Sequence, residues 1–308
     1  MAQISQISDH LIKRASEVVA GKEEQIRLIW VALLCGGHVL LEDLPGVGKT
    51  TLAQTLGSIL GLDYQRVQFT ADLLPADVIG AQIFDRDKQE FRFHRGPVFT
   101  QLLLADELNR ATPKAQSALL EAMEEGQVSI DGKPAKLPDP FFVIATQNPQ
   151  SQSGTYPLPE SQLDRFFLRL SLGYPDEATE RQLLLGKVGR ARLAQVKPLF
   201  SIDDFKAMRG QVNRVKLNEA VLGYIMRLVQ ATRDTSLCSL GLSPRASQSL
   251  AMAARAYALT SGRDYVIPDD VQALFPSIAG HRLKAHRSLG TESLVQQILN
   301  SVDVLGKA

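Results

Sequence analysis

A glycine-rich turn carries the residues whose chemistry is easiest to recognise in this sequence. The turn, Leu44–Thr50, follows an apolar run, His38–Leu41, that predicts a buried strand, and it precedes a helical pattern at Thr50–Leu60. Glycines let successive backbone N–H groups converge on phosphate oxygens, and the following helix N-terminus adds partial positive charge. Lys49 offers a mobile cation for β and γ phosphates, and the Thr50 hydroxyl is a candidate magnesium ligand. We therefore predict a phosphate-binding loop for a nucleotide.

Asp43 departs from this loop pattern, which calls for glycine at its first position. The inner run Pro45–Thr50 is intact, so the prediction stands. The alternative is a chance Gly-Lys-Thr in an ordinary strand–helix turn, and the strand before and helix after make that alternative weak.

An acidic pair ends the second apolar strand, Gln101–Ala105, and begins 57 residues after Lys49. Ligands of α/β sheets bind at the carboxyl ends of the strands, where Asp106 would hold the magnesium shell. Glu107 would orient or deprotonate the attacking water, because phosphoryl transfer depends mainly on positioning and charge stabilisation. A merely solvated acidic pair is the alternative, and the preceding loop disfavours it.

A polar amide follows the third apolar strand, Phe141–Thr146. Asn148 is the candidate that would reach the γ-phosphate and the water, and Thr146 and Gln147 are possible assistants. The alternative is a simple Asn-Pro turn, since Pro149 follows Asn148.

Two arginines occupy positions that are locally unusual. Ser243 and Pro244 predict a helix N-cap and first helical residue, which places Arg245 against the positive end of the helix dipole unless an anion lies nearby. Arg165 follows Asp164 and precedes apolar residues, and it could pair with Asp164, with Glu160 or with a phosphate on another subunit.

Apolar strands that alternate with helices predict an α/β fold with a parallel sheet covered on both faces. Two hairpins interrupt the pattern, at Ala81–Phe93 and at 127–137, the second turning at Asp131-Gly132. After Leu172 the strands are predicted to stop and helices to follow. We expect a nucleotide-binding core at 1–172, a linker at 173–200 and an all-helical domain at 201–308.

Composition excludes several classes of protein. The chain has 308 residues, 44% of them hydrophobic, and a formal net charge of +1, so a general attraction to nucleic acid or membrane is not indicated. Its two cysteines, Cys35 and Cys238, cannot build a disulfide framework or a cysteine-rich zinc site, and they favour a reduced, cytoplasmic location. The longest apolar run, Ile29–Cys35, is far shorter than the roughly 20 residues of a membrane span.

In combination these motifs resemble a MoxR-type AAA+ ATPase of the branch with an insert in the second core helix. The resemblance covers nearly the whole chain and rests on five runs in the family's order: Glu42–Thr50, Asp106–Ala111, Ala145–Pro149, Leu158–Phe166 and Gly241–Ala246. It implies an αβα core followed by a helical lid. It also implies magnesium-dependent ATP hydrolysis by a ring of identical subunits, usually six.

The resemblance also implies individual roles. Lys49 and Thr50 belong to the implied Walker A motif, together with Pro45, Gly46, Val47, Gly48 and Thr51, and Asp106 and Glu107 form the implied Walker B motif. Asn148 would be sensor 1, Arg165 an arginine finger acting across a subunit boundary, and Arg245 sensor 2. Val18, Val19 and Gly21 would enclose adenine. Arg110 and Arg169 are the alternative trans arginines. Leu73–Pro97 matches the insert, whose hairpin would project toward the pore or the substrate face of a ring. The two-residue spacing of Phe91 and Phe93 favours the alternative, in which they anchor the hairpin on the core.

Three functions remain open from the sequence. The first is chaperone-like remodelling or maturation of protein complexes, including metal-cofactor insertion, with a von Willebrand factor A domain partner, as the resemblance implies. The second is a nucleic-acid motor, for which the basic segment Arg263–Arg287 would be the surface, although a solvated helix face is the favoured interpretation. The third is a magnesium-chelatase-like motor subunit.

Overall fold

The computed structural model describes residues 2–130, 132–149, 154–285 and 290–306. Up to residue 172, helices and strands alternate as the apolar pattern predicts. The helices in this part are α1 (Ala2–Ser16), α2 (Glu23–Leu34), α3 (Lys49–Leu60), α4 (Pro75–Ile79), α5 (Pro113–Glu125) and α6 (Glu160–Leu163). The strands are β1 (Val39–Glu42), β2 (Tyr64–Gln68), β3 (Gly80–Asp85), β4 (Glu90–Arg95), β5 (Leu102–Asp106), β6 (Gln127–Ile130), β7 (Lys133–Lys136), β8 (Phe142–Gln147) and β9 (Leu168–Leu170).

Five of these strands form one parallel sheet in the order β2-β5-β8-β1-β9. The predicted parallel sheet is therefore confirmed. All five strands run in one direction, so their carboxyl ends meet at a single edge, where the phosphate-binding loop, the acidic pair and Asn148 follow β1, β5 and β8. No strand was predicted at β9, because three residues are too few to show a period.

Separate cores cover the two faces of the sheet. Alternate strand residues pack on opposite sides: Leu41, Leu104 and Ile144 lie in one cluster, and Leu40 and Leu103 lie in the other. The first cluster includes the buried Trp30 of α2 and continues into the helices that follow residue 200, whereas the second is closed by α5. The strand ends are thus held rigidly from both faces.

The two predicted hairpins are present as β3–β4 and β6–β7, while Asp131 in the second turn lies outside the described residues. In the first hairpin the expected anchoring holds for only one phenylalanine. The Phe93 ring lies 5.5 Å from that of Phe99, but Phe91, nearer the turn, is 70% exposed, and its ring lies 5.2 Å from the ring of Phe84, which is itself exposed.

Beyond residue 172 the chain is mainly helical. The helices are α7 (Glu177–Leu184), α8 (Ile202–Val212), α9 (Glu219–Thr232), α10 (Pro244–Thr260), α11 (Pro268–Ala279) and α12 (Thr291–Ser301), and the strands are β10 (Cys238–Leu240) and β11 (Lys284–Ala285). The expectation that strands stop at Leu172 is wrong, because β10 and β11 pair antiparallel. Strands of two or three residues are invisible to periodicity. The domain division at 172 and 200 stays a prediction, since one core runs through both parts. None of the described helices has the length and apolar character that crossing a membrane requires.

Candidate functional site

The turn after β1 has the backbone that phosphate binding needs. Gly46 and Gly48 have φ of 89° and 97°, in the left-handed region that residues with a Cβ rarely adopt. Gly48 is the N-cap of α3, so the first residue of the helix is Lys49. The loop therefore presents backbone N–H groups at a helix N-terminus, where an anion is favoured.

Lys49 is held at the base of this loop. Its Nζ donates to the backbone oxygens of Asp43 and Leu44 at 2.7 and 3.2 Å. Partial burial lowers the pKa of Lys49, and the carboxylates of Asp43, Asp106 and Glu107 oppose that shift. A cation that donates to backbone carbonyl oxygens can exchange them for phosphate oxygens.

Residues from the loop, from β5 and from the segment after β8 meet around one open cavity of about 360 Å³, a volume in the range of small-ligand sites. The lining residues are Pro45, Gly46, Gly48, Lys49, Thr50, Thr51, Arg66, Gln68, Asp106, Glu107 and Asn148. The structure therefore brings together most of the residues predicted to bind or hydrolyse a nucleotide. Their individual roles stay predictions.

Both carboxylate oxygens of Asp106 have partners. Oδ1 accepts from the Thr146 hydroxyl at 2.7 Å, and Oδ2 accepts from Nη2 and Nε of Arg66 at 2.7 and 3.1 Å. The Thr146 oxygen in turn accepts from the backbone N–H of Glu107 at 2.8 Å. The end of β5 is thereby fixed to the end of β8, and a cationic group already lies on the oxygen where magnesium was predicted.

Glu107 occupies an unusual backbone conformation. Its φ of 55° is in the left-handed region, which costs a residue other than glycine about 1–3 kcal/mol. The carboxylate oxygen Oε2 accepts from Gln68 Nε2 and from Arg110 Nη1, both at 2.8 Å. Strain of this kind clusters at functional sites, and here it directs the Glu107 side chain into the cavity.

The sequence analysis missed Arg66 and Gln68, which line the cavity from β2. Both lie on one face of that strand, and Gln68 is the register partner of Asp106. A two-residue spacing of polar side chains was visible in the sequence. That spacing indicates site residues only if β2 is the neighbour of β5, and local sequence patterns do not reveal which strands are neighbours.

Asp43 serves a different purpose from the glycine that the loop pattern expects. Its buried carboxylate accepts from the Ser171 hydroxyl at 2.7 Å and from the backbone N–H groups of Leu172 and Gly173 at 2.5 and 3.1 Å. The side chain lies outside the cavity and binds the chain where it leaves β9. The departure from the pattern therefore leaves the phosphate-binding part of the loop unchanged.

The segment predicted to enclose adenine lies against residues 173–200. Val19 is buried, the Val18 oxygen accepts from Gly189 N–H at 3.1 Å, and a Cβ at Gly21 would lie 3.0 Å from Thr179 Oγ1. Val19, Gly21 and Val47 lie outside the cavity, and Val47 packs on the hydrophobic core.

Arg165 and Arg245 meet on one carboxylate at a distance from the loop residues. Arg165 Nε lies 3.0 Å from Glu124 Oε2, and Arg245 Nη2 contacts Glu124 Oε1. These contacts lower the pKa of Glu124, chiefly through the Arg245 hydrogen bond, and the same bond raises the pKa of Arg245. The anion expected near Arg245 is thus Glu124. Arg245 lies outside the cavity, so a role toward the ATP of its own subunit finds no support in its position.

A second set of contacts joins the same two regions. Ser243 is the N-cap of α10, as predicted, and its hydroxyl also donates to Asp164 Oδ2 at 3.0 Å. Arg282, only 5% exposed, donates to Asp164 Oδ1 at 2.6 Å and to the backbone oxygens of Phe166 and Ile278 at 2.6 and 2.7 Å. The segment that carries Arg165 is therefore fixed to the lid.

The two alternative arginines have partners within the subunit. Arg110 Nη1 forms an ion pair with Glu107 Oε2 at 2.8 Å. Arg169 lies 2.8 Å from Glu42 Oε2 and donates to the Gly280 oxygen at 3.0 Å.

The basic residues in the described part of the segment Arg263–Arg287 are mostly buried or paired. His281 and Arg282 are buried, Arg263 pairs with Asp270, and Lys284 pairs with Glu160. The remaining basic residues, His286 and Arg287, lie outside the described residues. Most of the charges that a nucleic-acid-binding surface would need therefore have partners within the subunit.

Comparison with known protein families gives matches in both parts of the chain. The model of the ATPase family associated with various cellular activities (AAA) matches residues 38–168, and that of the AAA lid domain matches residues 230–301.

Individual relatives match almost end to end. Protein YeaC of Bacillus subtilis is 45% identical over 298 residues, which cover 95% of this chain and 93% of YeaC. Chaperone MoxR1 of Mycobacterium tuberculosis is 40% identical over 307 residues, covering 95% of this chain and 81% of MoxR1. A crystal structure assigned to an ATPase from Cytophaga hutchinsonii superimposes with a TM-score of 0.87 at 36% identity, covering 98% of this chain and 97% of that one.

Proposed function

The chain belongs to the MoxR group of AAA+ ATPases and hydrolyses ATP, and from that premise we propose a magnesium-dependent motor that assembles into a ring and remodels protein complexes. The observation that supports the ring is the separation of two parts of one site. The cavity holds the phosphate-binding loop and the acidic pair, whereas Arg165 and Arg245 lie together elsewhere on the subunit. A complete site then needs the arginines of a neighbour.

Within the cavity, the loop N–H groups and Lys49 bind the phosphates of ATP, and Asn148 orients the γ-phosphate and the attacking water. Glu107 accepts the proton of that water through the carboxylate that Gln68 and Arg110 hold. Phosphoryl transfer requires mainly this positioning together with neutralisation of developing charge.

The residues present fit a magnesium ion. Asp106 and the Thr50 hydroxyl line the same cavity, and the Arg66 guanidinium on Asp106 Oδ2 shows that this oxygen accepts a cation. Magnesium is usually held by one or two protein carboxylates together with the phosphates of the substrate. Bound there, magnesium would neutralise phosphate charge.

The neighbour's Arg165 supplies further positive charge to the γ-phosphate, and Arg245 approaches with it because both are attached to Glu124. An arginine supplied from another subunit raises turnover by roughly 10³–10⁵ in comparable nucleotide hydrolases. An isolated subunit therefore binds ATP and hydrolyses it slowly.

The client is a protein complex. The relative MoxR1 is named a chaperone, and the family resemblance adds metal-cofactor insertion, a von Willebrand factor A domain partner, a hexameric ring and a cytoplasmic location to this proposal. A pull-down with the Glu107→Gln variant in ATP should retain both client and partner, and stimulation of hydrolysis by DNA instead would favour a nucleic-acid motor.

The shared site is tested by mixing two inactive variants. Lys49→Ala protein keeps Arg165, and Arg165→Ala protein keeps the loop, so a mixed ring contains some interfaces with both. Partial recovery of ATP hydrolysis is expected, with mixed rings verified by mass measurement. No recovery in verified mixed rings, or recovery in protein forced to stay monomeric, would reject the trans arrangement.

A further inference from the structure

Glu124 lies near the end of α5 and connects two arginines that come from different parts of the chain. Each of its carboxylate oxygens takes one partner: Oε2 faces Arg165 Nε at 3.0 Å, and Oε1 faces Arg245 Nη2. Arg165 follows α6 on the core, and Arg245 lies in the first turn of α10 on the lid. One side chain therefore fixes the relative positions of two groups that the sequence separates by 80 residues.

Two guanidinium groups repel each other, and each arginine also has a long side chain with many rotamers. An anion between them offsets the repulsion and limits the rotamers, so that less order has to be gained when a phosphate binds. The side chains of Arg165 and Arg245 are 30% and 48% exposed, so both arginines remain accessible.

The backbone on either side of this contact is already fixed. Asp164 accepts from the N-cap hydroxyl of Ser243 at 3.0 Å and from Arg282 at 2.6 Å. These bonds dock the first turn of α10 on the segment before Arg165, so loss of the Glu124 charge would release the arginine tips without undocking the lid.

We propose that Glu124 is a positioning residue that holds Arg165 and Arg245 as a preformed pair for the ATP of the neighbouring subunit. This inference rests on the proposed trans arrangement of the two arginines. Glu124 stays bound to both arginines during turnover and reaches no reacting atom itself.

The test is Glu124→Gln, which keeps the size of the side chain and removes its charge. In assembled rings kcat should fall roughly ten- to a hundredfold, the loss typical of a misplaced catalytic group, while KM for ATP and ATP affinity of the isolated subunit stay unchanged. Glu124→Asp keeps the charge and should recover part of the lost kcat.

The matched control is Glu125→Gln. Glu125 is the next residue of the same helix, is exposed, and has no ion pair or hydrogen bond within the described residues. This variant removes the same charge from α5 and should turn over ATP at the unmodified rate.

The inference would be overturned by an unchanged or higher kcat in Glu124→Gln, by an equal loss of kcat in Glu125→Gln, or by a loss of ATP affinity in the isolated Glu124→Gln subunit. Failure of Glu124→Gln rings to form would assign the residue to the interface and would also overturn it. Arg165→Ala is measured in parallel. Full turnover by assembled Arg165→Ala rings rejects the proposed function, whereas slow Arg165→Ala with normal Glu124→Gln rejects only the role of Glu124.

Discussion

The nucleotide edge and the arginine edge of this subunit are built in opposite ways. The nucleotide edge comprises Lys49, Arg66, Gln68, Asp106, Glu107 and Asn148, and all of these residues except Lys49, the first residue of α3, lie on or directly after strands of one sheet. The arginine edge comprises Glu124, Asp164, Arg165, Ser243, Arg245 and Arg282, and it joins the core to the lid.

The difference concerns what the charges do. At the nucleotide edge, half-exposed cations such as Arg66 form ion pairs with the carboxylates proposed to act in hydrolysis, and a bound ligand can displace these cations. At the arginine edge a buried cation, Arg282, also holds the structure together. We therefore expect substitutions at the first edge to alter catalysis alone and substitutions at the second to alter stability as well.

The largest effect is expected at the nucleotide edge. Glu107→Gln keeps the side-chain shape and an oxygen that can accept from Gln68, but an amide cannot take a proton from water. Turnover should fall by about 10²–10⁴, the usual contribution of a general base, with ATP affinity retained. Single-turnover hydrolysis and equilibrium nucleotide binding measure the two quantities, and normal hydrolysis would assign the base to another group.

Arg282→Met is the corresponding change at the arginine edge. It leaves Asp164 and several backbone oxygens without their buried partner, so the free energy of unfolding should fall by about 3–5 kcal/mol. Arg66→Met removes an ion pair whose arginine is 47% exposed and should cost less than about 1 kcal/mol. Urea unfolding compares the two, and equal losses would erase the distinction between the edges.

Arg66→Ala tests whether the cation on Asp106 gives way to magnesium. Because Arg66 lies on Asp106 Oδ2, its removal should lower the magnesium concentration needed for half-maximal binding of a fluorescent ATP analogue. A pair whose arginine is half-exposed supports a shift of roughly two- to fivefold. Arg92→Ala on the exposed hairpin is the control, and a higher magnesium requirement in Arg66→Ala would show that Arg66 helps to bind the phosphates instead.

The smallest effect is a dependence of stability on pH at the arginine edge. His281 is buried beside Arg282, and burial, with the charges of Arg282 and Arg169, lowers its pKa well below the ordinary value. The unfolded chain takes up this proton at a higher pH than the folded chain, so stability is lost as pH falls below about 6.5.

Buried His38, whose pKa is lowered to about 4, acts in the same direction from the core. His281→Gln should therefore flatten, without abolishing, the fall in melting temperature between pH 7 and pH 5, where the lost histidine proton accounts for part of the slope. An unchanged slope would show that His281 titrates equally in both states.

The two edges differ in how far they could be predicted from the sequence, because the residues of the first belong to short local runs and those of the second are far apart along the chain. The loop, the acidic pair and Asn148 each belong to a short run with a strand before it, and their convergence follows once those strands are taken as parallel neighbours. Glu124 gives no such signal, because it is one of three acidic residues in the last turns of α5, with Glu121 and Glu125. Its role depends on Arg165, which the fold of the core brings within reach, and on Arg245, which the packing of the lid brings within reach.

Asp43 has a consequence for the ancestry of this loop. Since its carboxylate accepts from the backbone N–H groups of residues 172 and 173 and from the hydroxyl of Ser171, a descendant with glycine at position 43 would leave three donors without their acceptor. Position 43 and the exit from β9 are therefore expected to change together during divergence. A search that demands glycine at the first loop position would pass over such lineages, although their phosphate site is complete.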